Sequence, residues 1–302
     1  GMSHARLGAI GTRPDAFKTV RYSEKLLEAS GIAVSVIDFS EIFGYANALS
    51  DDDPKTVAKL DEIRAYMAAP NVPPETLVKM ARLGAVVDDW MADNDLDATA
   101  MQCWSSLQMN YGVNVCTLMS IMSNKMMPSA CETDITGLAS MSALQLAAEQ
   151  PAAIVDLNNN YGDDPDKCVL FHCGNWPLNF YPEGEAVMEF ADVLGTTLGN
   201  ENVYGAINGR APAAPLTIAR ISTDDVNGMC KAYVAEGQFL DDPLETFGSR
   251  AGGEIPNFQP LLKLLCKVGF EHHSAMSPAH VADAVAEGLG NYLDWEVFRH
   301  EQ

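Results

Sequence analysis

The apolar pattern changes character near Glu149-Gln150-Pro151, and any fold for this chain must accommodate two architectures in series. Ahead of that point, short apolar runs alternate with helical periodicity. Ala5 to Gly11 reads as a buried strand ending in a glycine turn, Ala33 to Asp38 as a second, Ala98 to Cys103 as a third and Pro128 to Glu132 as a fourth. Between them, stripes of apolar residues three and four apart predict helices over 17–30, around Val57 to Met67, over 74–90, over 113–121 and over 135–148. Strand and helix in alternation imply a doubly wound α/β domain with a parallel sheet. Beyond Pro151, short strand-like runs over 152–156, 167–173, 203–208, 216–222 and 229–236 follow one another with few helices between, punctuated by Gly, Pro and Asn. That pattern implies a β-rich, antiparallel or barrel-like C-terminal domain, with helices only over 258–268 and 278–289. The expected division is residues 1–149 and 150–302, a length suited to two domains.

A chain of 302 residues with 47% hydrophobic content buries enough surface to fold without staples, so a metal bound here serves chemistry rather than stability. The formal charge of −22 argues against nucleic acid or an anionic membrane as partner. No run approaches the ~18 apolar residues of a membrane span, and no signal-peptide pattern precedes the first strand. Gly1-Met2 reads as a tag remnant before an initiator methionine. The seven cysteines are odd in number, form no Cys-x-x-Cys pair and sit mostly in apolar runs, as reduced thiols of a cytoplasmic protein do.

Chemistry is legible where polar side chains end apolar elements. Glu132 closes the fourth strand and precedes a helix, the carboxyl edge at which ligand crevices form in wound sheets. Asp156 ends Ala152-Ala153-Ile154-Val155 in the same way. His172 lies within Val169 to Gly174, and His272-His273 follow Gly269-Phe270-Glu271. Each residue alone is as well explained by a cap or a hydrogen-bonded core group. Together, two carboxylates and two or more imidazoles could converge on one divalent cation, and mixed nitrogen and oxygen ligation suits Mn²⁺, Fe²⁺, Co²⁺ or Zn²⁺.

The ordered segments Ala130-Cys131-Glu132-Thr133-Asp134-Ile135-Thr136-Gly137, Val155-Asp156, Phe171-His172-Cys173-Gly174-Asn175 and Phe270-Glu271-His272-His273 resemble the L-fucose/L-arabinose isomerase family. The resemblance extends over the whole chain, including Gln102-Cys103-Trp104 and the acidic-aromatic tail near Trp295. It implies a metal-dependent isomerase that interconverts an aldose and its ketose through an enediol. Glu132 and Asp156 would be metal ligands and the acid/base pair, and His273 the third ligand to Mn²⁺. His172 matches a ligand in the arabinose branch that the fucose branch lacks. His272, Asn175, Trp104 and Trp176 are the candidate sugar contacts. The family also implies a small-molecule sugar as partner, assembly into homo-oligomers, and a further N-terminal domain that this chain lacks.

Two other readings compete. A non-catalytic sugar-binding or regulatory fragment would keep the fold and the metal without turnover. A metal hydrolase or aldolase would use the same side chains, but no His-Glu-x-x-His or Gly-x-Ser-x-Gly motif supports it.

Overall fold

The computed structural model describes residues 1–301. The first part builds a four-stranded, all-parallel sheet from β1 (Arg6–Ile10), β2 (Ala33–Ile37), β3 (Ala98–Met101) and β4 (Ser129–Ala130), in the order β2-β1-β3-β4. Side chains alternate across it. Leu7, Ala9, Ala98 and Ala100 face one apolar cluster with α1 (Glu24–Ala29) and α7 (Ile135–Ala148). Ile10 and Met101 face another with α2 (Phe39–Ala48), α3 (Pro54–Tyr66), α4 (Pro74–Asp93) and α6 (Cys116–Asn124). Helices on both faces make the sheet doubly wound, as the alternation predicts, with a short α5 (Ser106–Asn110) after β3.

The remaining strands are β5 (Ala153–Tyr161), β6 (Asp164–His172), β7 (Val187–Phe190), β8 (Tyr204–Arg210), β9 (Ala214–Asp224), β10 (Met229–Leu240), β11 (Ser249–Glu254), β12 (His273–Ser277) and β13 (Glu296–Arg299). Six of them run in the order β10-β9-β12-β5-β6-β11, each antiparallel to the next, and β11 pairs back onto β10 to close a barrel. Closure leaves no open edge within the ring. β13 extends the sheet beyond β10, β8 and β7 extend it beyond β11, and α8 (Asp192–Leu198), α9 (Phe258–Val268) and α10 (Ala282–Glu287) lie in the connections.

Local chemistry fixes the helix ends that matter for the site. Asp134 caps α7, its Oδ1 accepting from the Gly137 amide at 2.8 Å. Gly137 must be small, because a Cβ there would fall 2.4 Å from Asp134 Oδ2 and 2.7 Å from Arg220 Nη1. α7 packs against β1, β3 and β4 on one side and β9 and β12 on the other, so it joins the sheet to the barrel.

Two expectations change. The stripe over 17–30 is not one helix: a 3-10 turn at Lys18–Val20 precedes α1, and Phe17 leaves the stripe to face the cavity described below. α2 falls where the sequence reading marked no helix, and its cap is Asp38, which accepts from the Ser40 amide at 2.8 Å.

Candidate metal and active site

The site forms where the C-terminal edge of the parallel sheet meets the barrel mouth. Glu132 follows β4 in a left-handed conformation (φ 55), as does Thr133 (φ 54), whose amide donates to the Met101 carbonyl at 3.1 Å. Two successive non-glycine residues of this kind are costly and persist where the surroundings dictate them. The turn aims Glu132 inward, where its side chain is 4% exposed. Asp156 and His273 are direct cross-strand partners in the β5–β12 register, which places both side chains on one face. His172 ends β6 and follows Phe171, the partner of Asp156 on the other side. Gly174 (φ 132) lets the chain turn against β8, since a Cβ would lie 2.5 Å from the Ile207 amide nitrogen.

His273 Nε2 stands 3.6 Å from Glu132 Oε2 and 3.6 Å from Asp156 Oδ1. His172 Nε2 is also 3.6 Å from Glu132 Oε2. Among the described residues, Glu132, His172 and His273 form one group whose potential ligand atoms lie within 4.8 Å of each other, and Asp156, His272 and His273 form a second. Glu132 Oε2 and His273 Nε2 are buried polar atoms with no hydrogen-bond partner, although they face each other. Orphaned lone pairs of this kind are expensive unless something accepts them. The donor set therefore fits a divalent cation, with mixed nitrogen and oxygen ligation that suits Mn²⁺.

A buried network orients these groups. His273 Nδ1 donates to Asp134 Oδ2 at 2.9 Å, which turns the Nε2 lone pair toward Glu132 and Asp156. Arg220 grips the same carboxylate with both terminal nitrogens, at 2.5 and 2.9 Å, and its Nε donates to Glu271 Oε2 at 3.2 Å. Burial works to raise the Asp134 pKa, but the Arg220 charge and the His273 hydrogen bond outweigh it and hold the carboxyl far below the usual range. Cys103 donates to Glu132 Oε1 at 3.0 Å, and burial pushes that thiol up to about 12, so it remains a neutral donor. His272 contacts Thr19 Oγ1 through Nδ1 at 2.8 Å. Burial foremost, then neighbouring His273, lowers its pKa and favours the neutral ring.

These groups open into a cavity of about 280 Å³ lined by Phe17, Trp104, Phe171, Val193 and Leu194 along with Glu132, Asp156, His172 and His273. Three larger clefts lie elsewhere: one of about 550 Å³ beside the first three residues, α7 and α10, one of about 550 Å³ beside β2, α2 and α4, and one of about 490 Å³ beside His4, Asp97 and Met126. None of them brings a buried carboxylate together with two buried histidines, so size does not decide the site here.

Residues 170–301 match the family model described as L-fucose isomerase, C-terminal domain. That stretch of the chain is similar to the C-terminal domain of L-fucose isomerase. Among curated proteins it is similar to the sulfoquinovose isomerase of Priestia aryabhattai, 24% identical over 301 residues, covering 98% of this chain and 64% of that protein. The sulfoquinovose isomerase of Alkalicoccus urumqiensis is 23% identical over 285 residues, covering 93% and 62%. The chain thus spans less than two thirds of the length of these relatives.

Of the residues expected from the sequence, Glu132, Asp156, His172, His273 and Trp104 line one cavity, and His273 is shared by the group with Glu132 and His172 and the group with Asp156 and His272. Trp176 does not. It is fully buried, stacks on Tyr181 and donates from its indole to the Ile154 carbonyl at 3.1 Å, so it is core rather than a sugar contact. Asn175 is also buried, donating to Cys131 Sγ at 3.2 Å. Sequence reasoning overlooked Asp134, Arg220, Glu271 and Phe17. The two charges that end up fully buried were the missing signal: Arg220 lies in the apolar run 216–221 and Asp134 between Thr133 and Ile135, where an unpaired charge could not stay.

Proposed function

We propose that the chain is a metal-dependent aldose–ketose isomerase that works through an enediol, with Glu132 and Asp156 as the acid/base pair. The observation that carries this reading is the pair of orphaned buried atoms, Glu132 Oε2 and His273 Nε2, flanked by Asp156 and His172. A divalent cation held by Glu132, Asp156 and His273, with His172 as a further ligand, would when bound polarise the sugar carbonyl and stabilise adjacent negative charge. The protein's own groups then move the protons. One carboxylate takes the proton from the carbon beside the carbonyl and returns it to the neighbouring carbon, while the opposite carboxylate exchanges the hydroxyl proton. His272, neutral and hydrogen-bonded to Thr19, orients a sugar hydroxyl at the rim, and Trp104 and Phe17 cover the apolar face of the sugar.

The sugar itself is left to experiment. The relatives' name points to a sulfonated aldose, yet the cavity wall carries no Lys or Arg among the described residues. A sulfonate would have to be met outside it, by Arg13, Lys18 or Arg21 on the segment that brings Phe17 and Thr19 to the site. The test is ketose production with added Mn²⁺ over pentoses, 6-deoxyhexoses and sulfoquinovose in deuterated solvent. Ketose carrying carbon-bound deuterium is the expected result. Metal bound tightly with no turnover of any sugar would instead favour a sugar-binding role. The same reading includes assembly into a homo-oligomer.

A further inference from the structure

Four thiols converge behind His172, and three of them, Cys116, Cys131 and Cys173, have no part in the proposed isomerisation. Cys103 follows β3, Cys116 opens α6, Cys131 follows β4 and Cys173 follows β6, so the chain brings them together from four separate elements. All are free thiols. Cys116 Sγ lies 3.8 Å from Cys173 Sγ, and Cys173 Sγ lies 3.4 Å from Nδ1 of His172. Cys131, His172 and Cys173 offer atoms within 4.8 Å of one another, and Cys131 interacts with both Cys116 and Cys173.

Buried cysteines are ordinarily small apolar core residues. Three features set this cluster apart. A tetrahedral ion bound at about 2.3 Å by sulfur separates its sulfurs by roughly 3.8 Å, the spacing of Cys116 and Cys173. An imidazole nitrogen is turned toward the thiols rather than away from them. Cys173 and His172 also line the cavity, which gives an ion a route in. We propose that Cys116, Cys131, Cys173 and Nδ1 of His172 form a second metal site that takes a thiophilic divalent cation such as Zn²⁺ or Cd²⁺.

Binding exchanges three S–H bonds for three metal–sulfur bonds and releases three protons to solvent, giving a Cys₃His set. His172 couples this site to the carboxylate site. A neutral imidazole has one lone pair, so with Nδ1 on the soft ion its Nε2 carries the proton, faces Glu132 Oε2 as a donor and leaves the ligand set of the carboxylate site to Glu132, Asp156 and His273. The inference stands apart from the isomerase reading, because thiol ligation is read without any sugar.

The experiment titrates the reduced, metal-stripped chain of 302 residues with Cd²⁺ alone, with the exposed Cys266 replaced by Ser throughout. The expected result is an ultraviolet thiolate-to-cadmium band that saturates at one equivalent, with about three protons released. Cys131→Ser and Cys173→Ser should each weaken Cd²⁺ binding by roughly tenfold or more. Cys230→Ser and Glu132→Gln should leave the band in place. In case a serine variant does not fold, Cd²⁺ should also slow iodoacetamide alkylation of Cys173 in the otherwise unaltered chain, read by peptide mass spectrometry. No band, or a full band in folded Cys173→Ser together with unprotected Cys173, would overturn the proposal and return the four thiols to core packing.

Discussion

Asp134 stands 2.9 Å from Nδ1 of His273 and also caps α7, so one carboxylate fixes both a helix start and the imidazole that faces the two candidate ligands. The first prediction concerns that pairing. In Asp134→Asn the amide can present its NH₂ to Nδ1, which would make Nδ1 the acceptor and put the proton on Nε2, where it cannot ligate. Mn²⁺ affinity should fall roughly 10–100-fold, measured by calorimetric titration, with the fold retained by circular dichroism. Unchanged affinity would mean that Asp134 serves only Arg220 and the helix cap.

The same carboxyl makes a prediction about acid. Its folded-state pKa lies far below its unfolded value because Arg220 and His273 oppose the cost of burial. A group shifted downward contributes stability that is complete above the unfolded pKa, about 3.9, and lost as pH falls through the folded value. The urea-midpoint gap between wild type and Asp134→Asn should be constant from about pH 7 to 5 and close progressively below about 4. A gap that instead opened toward low pH would have the wrong sign for this network.

Phe17 makes an edge contact with Trp104 at 5.6 Å between ring centroids and lies 5.8 Å from the His273 ring. It forms a wall of the cavity at the start of the short 3-10 turn Lys18–Val20, outside the sheet and the barrel, so its loss should alter the site more than the fold. Phe17→Ala is expected to raise KM several-fold with a smaller effect on kcat, since the contact acts on bound sugar in ground and transition state alike. A change confined to kcat would place Phe17 in the chemical step.

The fold was more legible than the site. Helices α7 and α9 fall on the residues that their apolar spacing marks, because each has an abrupt stop or start: Asp134 caps one and Gly269, at φ 80, ends the other. The closing strands β11 and β12 escaped notice. Ser249 to Glu254 is rich in Gly and charge, and His273 to Ser277 is short and carries three polar side chains in five residues, a pattern that does not read as a buried strand. Glu132, Asp156, His172 and His273, which line one cavity, were singled out in the sequence because each ends or interrupts an apolar run. The residues that orient them were not, since a carboxylate and a guanidinium 86 positions apart declare no partnership until the chain has folded. Trp176 failed for a related reason: an indole next to a motif has no sequence sign of which way it faces.

On the far side of the sheet, Val36 on edge strand β2 is 64% exposed and Tyr45 on α2 is 58% exposed, and both line a cleft with Ile37, Leu49, Val86 and Trp90. An edge strand beside exposed apolar residues invites a second chain. The protein is expected to exceed the 32.6 kDa monomer mass in light scattering, and Val36→Lys should shift it toward monomer. A monomer at every concentration would assign that cleft to something other than a copy of this chain.

The sharpest separation of roles comes from Glu132→Gln, Asp156→Asn and His273→Ala compared in excess Mn²⁺. Each amide keeps the shape of its carboxylate and can still offer an oxygen to a metal, but it accepts no proton near neutral pH. If both carboxylates shuttle protons, saturating metal restores occupancy and not turnover, and activity stays down by about 10²–10⁴-fold. His273→Ala removes a ligand from between Glu132 and Asp156 while leaving both bases in place, so excess metal should recover part of its activity. Full rescue of Glu132→Gln would reduce Glu132 to a ligand and leave the proton to another route. Solvent deuterium then decides: an enediol passes its proton through a carboxylate that exchanges with water, so label appears on the carbon, whereas a direct hydride shift carries the original hydrogen across. Product free of carbon-bound deuterium under slow turnover would remove the base role from both residues while leaving their place around His273 intact.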